Sequence, residues 1–161
     1  INEIKKQLRI YPSINDYRKE IIISDFIPSE DIQKLHMALD CFVHPSHGEG
    51  FSIPSFEAML YGNTPICSNE GGPRDFIDPE DENTGTLVEG VYDVCNHSDP
   101  AFSELSTGRE EWFHPSESKT KKAMRKYYEM RGKVDKQAGY KRAKNNDFKE
   151  IGNLMMGFIN E

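Results

Sequence analysis

Between residues 21 and 88, short apolar runs alternate with stretches whose apolar positions follow helical spacing. Ile21, Ile22 and Ile23 form a β-branched run with the length of a buried strand. Pro28 and Ser29 precede Glu30 and Asp31, which puts a hydroxyl at an N-cap, carboxylates in a first turn, and Ile32, Leu35 and Leu39 on one face. A helix over about 30–39 is predicted. Cys41 to His44 reads as the next strand, stopped by Pro45, and Ser46 to Ile53 as a glycine-containing loop. Pro54 suits the first turn of a second helix, Phe56, Met59 and Leu60 its buried side, and Gly62 its C-cap. Ile66 to Ser68 is a further strand. Gly71 and Gly72 turn into a short helix at Pro73 to Ile77, and Thr86 to Val88 forms a closing strand. Residues 3–10 predict a short polar helix.

This alternation predicts an α/β fold: a Rossmann-like parallel sheet with flanking helices, in which ligands sit at the carboxyl ends of the strands. Beyond residue 90 the alternation stops. An acidic connection leads to Trp112, a basic helix over 119–144, and a last helix on which Phe148, Ile151, Met155 and Phe158 form one stripe. The 161 residues suit one core, so residues 1–161 are expected to be a single domain, with 1–90 as its α/β part and 110–161 as a C-terminal helical extension.

The net charge of -7 hides an asymmetry, because residues 119–144 hold eleven Lys and Arg against only Glu129 and Asp135. Met124, Tyr127, Tyr128 and Val134 recur beneath those charges, so a solvated helix face over a packed one is predicted, with contact to a membrane surface as its further use and no nucleic acid as partner. No apolar run has membrane-spanning length. The three cysteines, Cys41, Cys67 and Cys95, are odd in number and lack CxxC spacing, which predicts small buried hydrophobes in a reducing, cytoplasmic compartment. The chain opens on Ile1, and Lys5, Lys6 and Arg9 stand where a signal peptide would be apolar, so a piece of a longer protein is expected.

The segment from Ser46 to Met59 carries the candidate chemistry. It runs from a strand end through Gly48 and Gly50 into a helix. Free N–H groups at a helix start, with the positive end of its dipole, form an anion site, and glycines let the anion approach. An anionic ligand would lie against Phe51 to Ser55. Glu57, one turn into the helix, can accept hydrogen bonds from a vicinal diol such as a ribose, and Glu49 can reach hydroxyls on the other side of the anion. On the residues alone, such a loop also serves α/β domains that hold no nucleotide, and Glu57 also reads as a plain exposed helix residue. His44 and His47 lack a third ligand of known geometry, and Asp78 to Asp81 reads as a surface turn, so no metal site and no metal cofactor are expected.

His44-Pro45-Ser46 through Gly62, with Glu49 and Glu57 separated by seven residues, closely resembles the Glu-x7-Glu motif of glycosyltransferase family 4. Gly62-Asn63-Thr64-Pro65-Ile66 resembles that family's turn into a strand, Asn69 to Asp75 its Gly-Gly loop, and Gly85 to Val88 its closing strand. The resemblance runs from about Ile21 to Val88. It implies the C-terminal, nucleotide-sugar-binding half of a GT-B fold, truncated at its N-terminus, in an enzyme that transfers a sugar from a nucleoside diphosphate sugar to a hydroxyl acceptor with retention. By the same resemblance Glu57 would bind the ribose. Glu49 would act as the catalytic residue at the donor sugar or its phosphates, and Gly48, Gly50, Phe51 and Ser52 would approach the donor through the backbone. Phe26 and Ile27 would hold the base, in a loop where Asp25 stands in place of the family's frequent Gly. The last helix resembles the one such enzymes pass back across the cleft. In a sheet of order 3-2-1-4-5-6, Ile21 to Ser24 would be the third strand and Cys41 to His44 the fourth, with a gap between them. The family's acceptor domain and upstream phosphate-clamping residues have no counterpart here, so the chain is expected to be inactive alone. The rival expectations are a nucleotide-sugar epimerase and a non-catalytic GT-B-like binding module.

Overall fold

The computed structural model describes residues 20–95 and 109–160; the helix expected over residues 3–10 lies outside them. Three parallel strands form the centre in the order β1 (Cys41–His44), β2 (Thr64–Ser68), β3 (Thr86–Val88). Helix α1 (Ser29–Ala38) precedes β1, α2 (Ile53–Leu60) joins β1 to β2, and α3 (Pro73–Phe76) joins β2 to β3. Every residue of β2 is buried, as expected of a central strand covered on both faces. Side chains alternate between those faces. Cys67 and Leu87 pack with Met59, Phe56 and Leu60 of α2 and with Phe76, whereas Ile66, Val88 and Cys41 pack with Ala123 and Tyr127. The sheet with flanking helices is the expected Rossmann-like α/β arrangement.

Helix α2 stops as its sequence implies. Gly62 takes φ +78°, its N–H donates to the Met59 carbonyl, and the Asn63 N–H donates to the Ala58 carbonyl, the paired bonds of a Schellman cap. The run Ile21 to Ile23 differs from expectation: it forms no strand, and Ile21 is 86% exposed. A strand needs a neighbour to bond to, and none of the described strands pairs with it. In α1, Ser29 is the first helical residue and Pro28 the cap, without a side-chain bond. Its buried residue is His36, stacked on Tyr61 at 5.7 Å, while Ile32, Leu35 and Leu39 stay exposed.

The chain beyond residue 90 also departs from the expected plain connection. Strands β4 (Gly90–Val94) and β5 (Glu111–Pro115) pair antiparallel, with Val91 opposite His114 and Asp93 opposite Trp112. Gly90 is needed there, because a Cβ would stand 2.2 Å from the His114 carbonyl oxygen. The basic stretch is two helices and not one, α4 (Glu117–Met130) and α5 (Lys136–Lys144), separated by a turn in which Gly132 takes φ +74°. Helix α4 lies on the sheet through Ala123 and Tyr127, with Met124 and Tyr128 turned outward, and α5 packs on α2 through Gly139 and Ala143. The last helix, α6 (Phe148–Ile159), has the expected apolar stripe but buries none of its residues.

Candidate functional site

The loop after β1 is fixed by a chain of side-chain bonds that starts at Ser52. Ser52 adopts φ +64°, ψ +60°, a left-handed conformation uncommon for a residue with a Cβ. Its buried hydroxyl donates to Ser55 Oγ at 2.8 Å, and Ser55 Oγ lies 3.3 Å from His44 Nδ1. If Ser52 donates to Ser55, the Ser55 hydroxyl is free to donate to Nδ1, which leaves the His44 proton on Nε2. That nitrogen faces Glu49 Oε1 at 3.5 Å. His44, at the end of β1 on the α2 face, therefore stands between the serines at the head of α2 and the loop carboxylate.

The backbone of the loop is held from the other side. The Gly72 N–H points at the Glu49 carbonyl at 3.4 Å, and Ser68 Oγ, at the end of β2, donates to the Ser46 carbonyl. Gly71 has φ +63°, and a Cβ there would lie 2.1 Å from the Glu49 carbonyl oxygen; at Gly72 it would lie 2.3 Å from Phe51 Cα. Two glycines let one loop lie flat on the other. The Phe51 ring packs on Phe56 at 5.1 Å and on Phe76 at 5.4 Å. With its ring resting on these two and 41% of the residue still exposed, Phe51 can offer a ligand its backbone.

Ser55 and Phe56 donate their N–H groups to the Ser52 carbonyl, and among the described residues no protein acceptor takes those of Phe51, Ser52 and Ile53. These are the unpaired donors of a helix start, added to the positive end of the α2 dipole. Of the stretch Phe51–Ser55 expected to meet an anion, Phe51, Ser52 and Ile53 are thus the residues whose amides are not taken up within the helix start. Glu57 follows on the exposed side of α2, and Gly48 and Gly50 are exposed on the loop with nothing within 4 Å of a Cβ at either. The fold brings Gly48, Glu49, Gly50, Phe51, Ser52 and Glu57 to one helix entrance. Phe26, 92% exposed, and Ile27 lie ahead of α1, and among the described residues no hydrogen bond or ring contact joins them to this loop.

Beneath the loop, burial pushes the Cys67 thiol up to about 11, opposed by its bond with Ser55 and reinforced by the Glu49 carboxylate, so it stays protonated. His47 diverges from His44: its Nδ1 lies 2.9 Å from the Phe113 carbonyl of β5. Beside the loop, Arg74 pairs with Glu70 at 3.1 Å and bonds to Asn69, whose amide donates to Glu89. The sequence reading missed the link from His44 to Glu49 and the close fit of Gly71 and Gly72. The signal for the first was strand parity, which sets His44 on the face that α2 covers.

Residues 7–95, more than half of the chain, match the family described as "Glycosyl transferases group 1". The chain is 46% identical over 44 residues to the O-antigen chain mannosyltransferase B of Escherichia coli, covering 27% of this chain and 12% of that protein. To the Escherichia coli serotype-specific mannosyltransferase WbdA it is 33% identical over 67 residues, 42% of this chain and 8% of the relative. To the glycogen synthase of Lactiplantibacillus plantarum it is 30% identical over 82 residues, 51% of this chain and 17% of the relative. The chain thus matches less than a fifth of the length of each of these relatives. The extent of the family match, together with the parallel sheet and the loop at the head of α2, establishes that the chain belongs to the group 1 glycosyltransferases.

Proposed function

We propose that the chain is the donor-binding part of a retaining glycosyltransferase of the GT-B type and family 4, one domain over residues 1–161, that moves a sugar from a nucleoside diphosphate sugar to a hydroxyl acceptor. The observation that carries this reading is the set of unpaired amides of Phe51, Ser52 and Ile53 at the head of α2, with Glu49 before it and Glu57 one turn beyond. The diphosphate lies against those amides and the helix dipole, in place of a metal ion. Glu57 accepts from the ribose hydroxyls. Glu49, oriented by His44, accepts from the donor sugar as its bond to the phosphate breaks. Gly48 and Gly50 admit the phosphates, and Phe26 and Ile27 close on the base. A second domain supplies the acceptor and further cationic groups, and the protein works in the cytoplasm. Among the described residues no helix is long and apolar enough to cross a membrane.

The test is calorimetric titration of the chain with a panel of nucleoside diphosphates, followed by amide shift mapping. Because two of the relatives are named mannosyltransferases, a mannose-bearing nucleotide heads the panel of donors. Saturable binding that moves the amides of Phe51, Ser52 and Ile53 is expected. A nucleotide that binds elsewhere, or none that binds, overturns the reading.

A further inference from the structure

The Glu49 carboxylate is carried by the stretch Gly48-Glu49-Gly50, with a glycine on each side. Both glycines are exposed, and nothing lies within 4 Å of a Cβ at either, so neither packing nor a side chain restricts the backbone beside Glu49. Its position is therefore set by anchors on the residues around it. Ser68 Oγ donates to the Ser46 carbonyl, and the Gly72 N–H points at the Glu49 carbonyl at 3.4 Å. Both of these come from β2 and the loop that follows it. The other anchor acts on His47, the last residue before the first glycine, and comes from strand β5. That strand lies beyond residues 7–95, which match the family model.

The contact between His47 and β5 follows from the register of the ribbon. The Ser116 N–H donates to the Glu89 carbonyl at 3.0 Å, and the Cys95 N–H to the Glu110 carbonyl at 2.7 Å. Bonded and non-bonded pairs alternate along an antiparallel ladder, so Tyr92 and Phe113 form a non-bonded pair and the Phe113 carbonyl points off the outer edge of the ribbon. His47 Nδ1 lies 2.9 Å from that oxygen. A carbonyl can only accept, which puts the imidazole proton on Nδ1. Trp112 and His114, the neighbours of Phe113, place their rings 5.5 Å and 4.7 Å from the imidazole. His47 is itself exposed, so these contacts, and not burial, hold its ring. The base of the ribbon is tied to the loop after β2 as well, where Asn69 donates to Glu89 at 2.7 Å.

From this arrangement we propose that His47 is a positioning residue, through which the β4–β5 ribbon sets where Glu49 stands at the head of α2. The proposal rests on the donor-binding reading of this loop. His44 orients the Glu49 carboxylate itself, whereas His47 fixes the backbone from which that carboxylate projects. The amides of Phe51, Ser52 and Ile53 lie beyond Gly50, so loss of the anchor should disturb contact with the donor sugar more than contact with the phosphates.

Calorimetry and amide shift mapping on the 161-residue chain test this, with guanosine diphosphate and guanosine diphosphate mannose as one pair of probes and uridine diphosphate and uridine diphosphate glucose as another. His47→Ala is expected to weaken the nucleotide sugar about three- to tenfold and the bare nucleotide less than twofold. His47→Asn, whose side-chain amide stands where Nδ1 stood, should restore most of the loss, and His47→Phe, which keeps a ring without the donor, should not. Trp112→Leu acts on the same contact from the ribbon and should shift the two affinities in the same sense, which keeps the test available if a His47 variant fails to fold. An equal loss for nucleotide and nucleotide sugar in His47→Ala would make the contact purely structural and overturn the proposal. Binding like that of the parent chain, or a His47→Asn chain no better than His47→Ala, would overturn it too. If the sugar adds nothing to binding in the parent chain, or no probe binds, the donor reading of Glu49 falls and the unliganded chain decides: Gly50 and Phe51 amides displaced in His47→Ala and returned in His47→Asn support the anchor, and unmoved ones overturn it.

Discussion

His44 Nε2 and Glu49 Oε1 face each other at 3.5 Å, and the other nitrogen of the same ring lies within hydrogen-bonding distance of Ser52 and Ser55. The imidazole thus ties the geometry of the helix start to that of the loop carboxylate. In an assay of the proposed sugar transfer, His44→Ala is expected to lower kcat/KM about five- to tenfold, the worth of roughly 1 kcal/mol for one positioning bond. His44→Gln, whose amide can still donate, should recover part of it. Steady-state kinetics of both variants check this, and unchanged kinetics in His44→Ala would show that Glu49 needs no such support.

If Glu57 binds the ribose as proposed, Glu57→Ala should weaken nucleoside diphosphate binding roughly ten- to a hundredfold, because a charge-assisted bond contributes about 1.5–3 kcal/mol. Its side chain is exposed on α2, so thermal stability should hardly change. Calorimetry on the variant, beside a melting curve, reads both quantities.

Gly71→Ala should destabilise the chain by about 2–4 kcal/mol, since its φ of +63° resists a Cβ that would also stand 2.1 Å from the Glu49 carbonyl. Gly48→Ala has open space around it and should change stability by no more than about 0.5 kcal/mol. Equal denaturant midpoints for the two variants would contradict the packing of the Gly71–Gly72 turn on the Glu49–Phe51 loop.

Stability should fall as pH rises above about 9. Burial, joined by Cys67 and Asp40, pushes the Cys41 thiol from its ordinary 9.0 up to about 11, and burial does the same to Cys67. Between those values the unfolded chain has released protons that the folded chain still holds, so alkalinity favours unfolding. Below pH 9 both states are protonated and these groups add no slope. Denaturant titrations at pH 8, 9, 10 and 11 test this, with Cys41→Ala and Cys67→Ala expected to flatten the decline.

Tyr127→Phe should cost about 1–3 kcal/mol. Burial raises the phenol to about 12, and its hydroxyl bridges Thr86 Oγ1 and the Glu82 carbonyl, each at 2.8 Å, which pins α4 to β3. A melting temperature equal to that of the parent chain would show that the bridge contributes nothing.

The α/β core was legible in the sequence because its signals are local. The apolar run Ile66-Cys67 marks β2, Pro54 and Gly62 bracket α2, and the glycines after β1 announce a loop at a strand end. Periodicity, capping and turn chemistry act within a few residues, so a linear pattern carries them. Tertiary structure decided what depends on residues far apart. Ile21 to Ile23 had the composition of a strand, but pairing requires a neighbour, and none of the described strands supplies one. The β4–β5 pair was hidden because Val91 and His114 meet across more than twenty residues, and the polar Asp93 and Glu111 mask its alternation. The same holds for the site. Glu49, Glu57 and the loop amides were readable as a motif, whereas the His44–Glu49 approach, the fit of Gly71 against Glu49 and the meeting of His47 with His114 arise from packing. Such contacts are set by distances through space, which sequence spacing does not encode.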